Sequence, residues 1–267
     1  MRKIVAVIAG LVMTLSAMAQ QQTVNIQAGG LNAAVGMQKY DIKSLKIIGD
    51  INGSDIITIR EMASGRGVLQ ELDLSEAAIV KGGAAYATGR TQNCVTRKND
   101  ISTRMFAGCD YLTKITIPNR ARLISYDAFS NCPSLREINT DSNLKFQSVQ
   151  GIIYTSDMKT VVRCPEGLIL DEVEILEGVE QIYTGAFLNI KLLRTITLPS
   201  TIKGVSNMSF QGCPLTTITV NSMKAPAMEN AFDAAVVSGA KLYIPSGARE
   251  AYLSADHWSK FSNIIER

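Results

Sequence analysis

Phenylalanine returns at a fixed interval in this chain. Phe106 and Phe129 stand 23 residues apart, as do Phe187 and Phe210, and Phe232 follows 22 later. Cys109 and Cys132 keep the same spacing, while Phe129 and Phe210, Cys132 and Cys213, and Pro118 and Pro199 are each 81 apart. Self-similarity at a period of about 20–50 residues marks stacked structural units and outranks any local reading of helix or strand. A unit this small cannot bury its own apolar face, so neighbouring units must supply the core.

Each unit reads as a short strand, a turn and a compact return. Leu112, Ile115 and Ile117 lead into Pro118, and Leu193, Ile196 and Leu198 lead into Pro199. Alternation at 115 and 117 predicts a strand with one buried face. The proline ends it, having no N–H to give a ladder. A second apolar beat follows: Ile124 before Ala128-Phe129, Ile182 before Ala186-Phe187, Val205 before Ser209-Phe210. Phe129 and its equivalents are expected to stack inside the coil. Cys109, Cys132 and Cys213 share one position that Ile190 fills elsewhere, so the thiols read as small apolar filler.

The pattern x-x-L-x-x-I-x-I-P…I-x-x-x-A-F-x-x-C resembles the BspA-type leucine-rich repeat. The match is strongest over 104–245 and extends in outline over 40–267. The stretches LKIIGDINGSDIITIREMA (45–63) and LQELDLSEAAIV (69–80) look like the opening of such proteins, and KLYIPSGAREAYLSADHWSKFSNIIE looks like their close. The resemblance implies a repeat solenoid: a right-handed leucine-rich-repeat array of ~23-residue coils, with a parallel β-sheet on the concave face and short helical caps at both ends. It also implies an exported or surface protein of the kind found in Gram-negative anaerobes and some protists, acting in adhesion or interaction.

The expected organisation runs as follows. Arg2 and Lys3, an apolar run over 4–15 and Ala17-Met18-Ala19 read as a cleaved signal peptide, 1–19, too short to span a bilayer. Residues 20–80 form an N-terminal segment and capping repeat, and 81–103 a polar loop. Repeats occupy 104–240, with a hairpin insertion near 150–165 expected to bulge from the array. There Ile152–Tyr154 and Val161–Arg163 flank Thr155 to Met158. Cys213-Pro214-Leu215 is one residue shorter than its equivalent at 132–135. Residues 241–267 form a C-terminal cap. A helix over 54–63 would take Ser54 as its N-cap, and Ser246 would cap a helix over 247–253. Trp258, Phe261 and Ile264 would lie across the last coil. Localisation is accordingly secreted, periplasmic or cell surface, with no integral membrane segment after cleavage.

Chemistry is sparse. The formal charge of +3 falls by two once Arg2 and Lys3 are removed, which gives no electrostatic case for nucleic acid. His257 is the only histidine, so a histidine triad or multi-histidine metal site is excluded within one chain. The five cysteines show no metal spacing. A Cys94–Cys164 disulfide suits an exported chain, but sequence does not decide connectivity. A Cys109–Cys132 bridge is the other alternative, and reduced, buried thiols the favoured one. No phosphate-binding glycine motif is present, and neither a cofactor nor a metal site is implied. Glu166, Asp171, Glu172, Glu174, Glu177 and Glu180 form a dense carboxylate run, which reads as a solvated face, with acid–base hydrolysis as a minor alternative.

What remains is surface. Residues between the buried strand positions point outward. That column holds Glu71 and Asp73, Lys114 and Thr116, Glu137 and Asn139, Glu172 and Glu174, Thr195 and Thr197, Thr217 and Thr219. It is acidic with one lysine at first, then all threonine, and it contains no aromatic. Solenoids present such strips to partners, although threonine also simply suits β structure. The column from Lys114 to Thr219 is the candidate partner-binding strip. Its expected partner is a protein or an extracellular-matrix or cell-surface component. The alternative is a carbohydrate-binding module, which the missing aromatics disfavour.

Overall fold

A computed structural model describes residues 21–88 and 93–267. The leader expected at 1–19 lies outside the described residues. Within them the chain is a repeat solenoid built on parallel ladders. Each short strand pairs with its equivalent one unit later. Leu72, Ile115 and Ile138 sit in register, as do Val173, Ile196, Ile218, Leu242 and Ile264. These side chains point inward and are buried, except for Ile264, half-buried on the last strand. Alternation in the sequence has therefore become alternation across a sheet.

The phenylalanines queue as expected, in two groups. Phe106 and Phe129 stack with ring centroids 5.5 Å apart. Phe187, Phe210 and Phe232 stack at 5.1 Å and 5.1 Å. Each stacked pair adds roughly 0.5–1.5 kcal/mol beyond the area it buries. The residue two after the phenylalanine turns the chain in a left-handed conformation in four units: Gly108 (φ 75°), Asn131 (58°), Asn189 (65°) and Gly212 (74°). Glycine and asparagine are the residues that visit that region readily.

The array is interrupted. Among the described residues, strand Glu137–Asn139 pairs only with Lys114–Thr116, and Glu172–Glu174 only with Thr195–Leu198. Two ladders result. The first holds Gln22–Ile26, Ser44–Ile51, Glu71–Asp73, Lys114–Thr116 and Glu137–Asn139. The second holds Glu172–Glu174, Thr195–Leu198, Thr217–Val220, Lys241–Ile244 and Asn263–Glu266. The core divides with them into two hydrophobic clusters.

Between the halves stands an antiparallel meander of Phe146–Val149, Ile152–Thr155 and Thr160–Arg163. Its first turn, Gln150-Gly151, has φ of 53° and 81°, the double left-handed geometry of a tight hairpin. The segment does not bulge from the array, contrary to the sequence expectation. Thr160–Arg163 runs parallel to Gln181–Ile182 and opens a back ladder that continues through Gly204–Val205 and Ala227–Met228. The reason lies in its apolar run, which is buried on both faces. Ile153 and Val162 join the first cluster, while Ile152, Tyr154 and Val161 join the second.

The ends also differ in detail from expectation. Helix Gly53–Met62 is capped by Asn52, in a capping box with Asp55, not by Ser54. The Asp55 carboxylate additionally accepts from the Gly29 and Leu31 amides. Ser54 Oγ instead accepts from Ala84 N at 3.1 Å. The C-terminal helix is Arg249–Leu253, and Ser246 does not cap it. Trp258 and Phe261 are buried over the last coil, with Trp258 Nε1 donating to Pro226 O at 2.7 Å. Ile264 lies in a further strand, paired with Lys241–Ile244.

Candidate binding face

The outward column of the first ladder is largely satisfied by its own chain. Lys114 Nζ lies 2.7 Å from Glu137 Oε1. Lys46, which the sequence reading did not include, lies 2.6 Å from Glu76 and 3.7 Å from Asp73. Ser44 Oγ donates to Glu71 at 3.1 Å. Thr116 and Asn139 are half-buried beside these pairs. Asn139 Oδ1 is turned to the Asp141 amide at 2.9 Å, closing the turn that follows.

The second ladder is different. One outward row runs Glu172, Thr195, Thr217, Lys241, Asn263, and the other Glu174, Thr197, Thr219, Tyr243, Ile265. Glu172 and Glu174 are exposed, and among the described residues neither forms an ion pair. Thr195, Thr197 and Thr217 are half-buried. Thr219 departs from expectation: it is only 3% exposed, between Thr197 on one side and the larger Tyr243 on the other. The column is also not one continuous strip, because the Glu137–Asn139 and Glu172–Glu174 edges do not join.

Sequence reasoning missed Lys241, Tyr243, Asn263 and Ile265. Leu242, Ile244 and Pro245 repeat the strand rule of Ile115, Ile117 and Pro118, which puts Tyr243 outward. Assigning the segment to the cap concealed that. The Arg267 guanidinium lies 5.4 Å from the Tyr243 ring centroid.

The carboxylate run at 166–180 disperses into separate roles. Glu166 is buried against Arg163. Glu177 accepts from Ser200 Oγ at 2.6 Å, and that bond pulls its carboxyl below the ordinary range. Glu180 is held down by Lys203 at 2.6 Å and Lys159 at 2.9 Å. A general acid needs its pKa raised, and both shifts run the other way.

The thiols are interior. Cys132 Sγ donates to Phe106 O at 3.1 Å, and Cys213 Sγ to Phe187 O at 2.9 Å, the same reach back by one coil. Burial pushes Cys132 up to about 11 and Cys164 and Cys213 up to about 12. Cys94 and Cys164 are free and sit in different clusters, and Cys109 and Cys132 are also free. Among the described residues, no group of three or more His, Cys, Asp or Glu is placed to hold a metal, and no helix is long and apolar enough to cross a membrane.

A family model described as the BspA type leucine rich repeat region matches the chain in six copies, over residues 91–161 and 164–250. That is more than half of its length. The chain belongs to the BspA-type leucine-rich-repeat family. No curated protein sequence matches this BspA-type chain. Of the solved structures that resemble it, three share low identity with it. The pneumococcal vaccine antigen PcpA is 15% identical over 92% of this chain and 79% of that one, with a TM-score of 0.42. A leucine-rich repeat protein of Eubacterium ventriosum is 12% identical over 91% and 80%, at 0.45. A leucine rich cell surface protein of Faecalibacterium prausnitzii is 16% identical over 84% and 63%, at 0.45. The motif read from the sequence thus marks its family, and the interval between the two matched blocks falls at Val162 and Arg163, at the end of the meander.

Proposed function

We propose that this BspA-type chain is an exported or cell-surface binding protein, and that the outward face of its second ladder is where a protein partner docks. One observation carries the reading. In the first ladder Lys46 and Lys114 pair with Asp73, Glu76 and Glu137, whereas Glu172 and Glu174 form no ion pair among the described residues and head rows that run through Thr195, Thr197 and Thr217 to Asn263 and Ile265. A five-stranded polar surface of this kind suits hydrogen-bonded protein contact. The glycan reading is weaker, since the Tyr243 ring that a sugar would stack on carries the Arg267 guanidinium.

The test uses residues 20–267 immobilised and exposed to matrix proteins and to envelope proteins, with captured partners measured by surface plasmon resonance. A Thr195→Arg/Thr217→Arg variant, which crowds the middle of the second ladder, is expected to weaken binding about tenfold or more. Lys114→Gln/Glu137→Gln on the first ladder is expected to leave it within twofold. Equal binding by wild type and the arginine variant would remove this face from consideration.

A further inference from the structure

The interruption of the array leaves a strand with one side unused. In the second ladder Thr195 N donates to Asp171 O at 3.0 Å, and Ile175 N donates to Thr197 O at 2.9 Å. With the register Glu172–Thr195, Val173–Ile196 and Glu174–Thr197, the groups of Val173 face the ladder. The N–H and C=O groups of Glu172 and Glu174 then point the other way, toward the first half. No backbone partner meets the Glu172 or Glu174 amides there among the described residues. Three residues of strand offer about 10 Å of open edge.

Native proteins usually blunt such an edge with proline, lysine, a bulge or a covering segment. This one instead opens onto a crevice of about 270 Å³. Ile152 and Leu170 line it together with Gln150 at the hairpin tip, and the carboxylates of Glu172, Glu174 and Glu177 stand around it. At the end of the first ladder, Glu137 is paired with Lys114, whereas Glu172 and Glu174 form no ion pair among the described residues.

We infer that Glu172–Glu174 is a recognition edge that accepts an extended, basic segment of a partner protein as an added β-strand. Main-chain hydrogen bonds would supply affinity, and alternate side chains specificity. On the added strand, residues sharing the face of Glu172 and Glu174 lie across from carboxylates and should be lysine or arginine. The residue between them points toward the crevice with Ile152 and Leu170 and should be apolar. The recognised motif is cation–apolar–cation. This inference rests on the reading that the chain binds proteins. It adds a place for that binding, the edge of the second ladder as opposed to its face, and the chemistry of the segment bound.

The probe is a fluorescein-labelled peptide, Ser-Thr-Lys-Val-Lys-Val-Lys-Thr-Ser, followed by anisotropy with residues 20–267. A matching peptide with glutamate for every lysine serves as the control. Glu174→Pro deletes one outward amide that the ladder does not use, which edge strands tolerate; Glu174→Gln removes only the charge. The basic peptide is expected to bind wild type and to lose affinity on raising salt. Glu174→Gln should weaken it a few-fold and Glu174→Pro at least tenfold, with the acidic peptide silent. Hydrogen exchange on the wild-type chain gives a second readout independent of any variant. Added peptide should slow exchange at the amides of Glu172 and Glu174.

No binding at millimolar peptide, equal affinity for wild type and Glu174→Pro, or protection elsewhere would each overturn the inference. So would a concentration-dependent dimer of the chain that Glu174→Pro dissolves, since the occupant would then be a second copy. The Thr195→Arg/Thr217→Arg variant separates the two readings. If it loses the captured partner while the peptide never binds, the face reading stands and the edge reading goes. If peptide binding obeys Glu174→Pro while the arginine variant captures partners normally, the reverse holds.

Discussion

Arg163 and Glu166 join the halves where the ladders do not, and removing Glu166 should show it. Arg163 is 1% exposed and Glu166 6%, with Nη2 3.2 Å from Oε1. Arg163 Nη1 donates to Tyr126 O at 3.2 Å in the first half and to Gly185 O at 2.8 Å in the second. The Glu166 carboxylate accepts from Asn131 N at 3.3 Å and Cys132 N at 3.1 Å, standing in for the next coil, which here is missing. In the intact repeats a backbone carbonyl does that work, as when Asn189 N donates to Gln211 O at 2.9 Å. Burial pulls the guanidinium below its ordinary value, and the Glu166 charge works against that pull. Arg163 Nε has no hydrogen-bond partner among the described residues.

Glu166→Ala would strand a buried cation and leave the part-buried Cys132 amide without its acceptor. Loss of one partner from a buried pair costs about 3–5 kcal/mol, and an unmet buried donor costs about 1–3 kcal/mol within such a total. The expected loss is therefore about 4 kcal/mol. Arg163→Met/Glu166→Gln should recover part of it, because no charge remains and glutamine still offers an oxygen to Cys132 N. Urea unfolding followed by circular dichroism and by Trp258 fluorescence would measure both variants. Since Trp258 reports only on the second cluster, Glu166→Ala should also separate the two signals into distinct transitions. A Glu166→Ala chain within 1 kcal/mol of wild type, with coincident transitions, would refute the staple.

Two further outcomes follow from the coil geometry. Gly108 and Gly212 hold the same left-handed turn, but a Cβ at Gly108 would meet nothing whereas one at Gly212 would run into the Asn189 side chain. Thermal melts should show Gly108→Ala losing about 1–2 kcal/mol and Gly212→Ala more; equal losses would contradict the packing described. Burial raises the thiols of Cys132, Cys164 and Cys213, so at pH 8 they should resist Ellman's reagent in the native chain and react once guanidinium unfolds it. Rapid stoichiometric labelling of native Cys132 or Cys213 would count against buried, hydrogen-bonded thiols.

Much of this was legible locally. The interval between phenylalanines identified a stack, and the x-I-x-I-P rule identified inward and outward residues, because side-chain direction in a strand depends only on its own backbone. The same rule holds at Tyr243, although the cap-like sequence after Pro245 hides it. It failed at Thr219, whose exposure depends on the size of the residue on the next strand. Capping also depended on distant geometry: Asn52 rather than Ser54 sits where the first turn needs an acceptor, in a site that Asp55 completes by holding the Gly29 and Leu31 amides.

By itself the sequence determined a repeating coil, its core positions and its family, since each depends on periodicity along one chain. Only the tertiary structure decided that the array parts after Asn139 and resumes at Glu172. In sequence, strands on both sides of that gap obey the same local rule. Whether one strand hydrogen-bonds to the next depends on the residues that come between them in space. Here a meander apolar on both faces, stapled by Arg163 and Glu166, lies between the two halves and leaves the Glu172–Glu174 edge open.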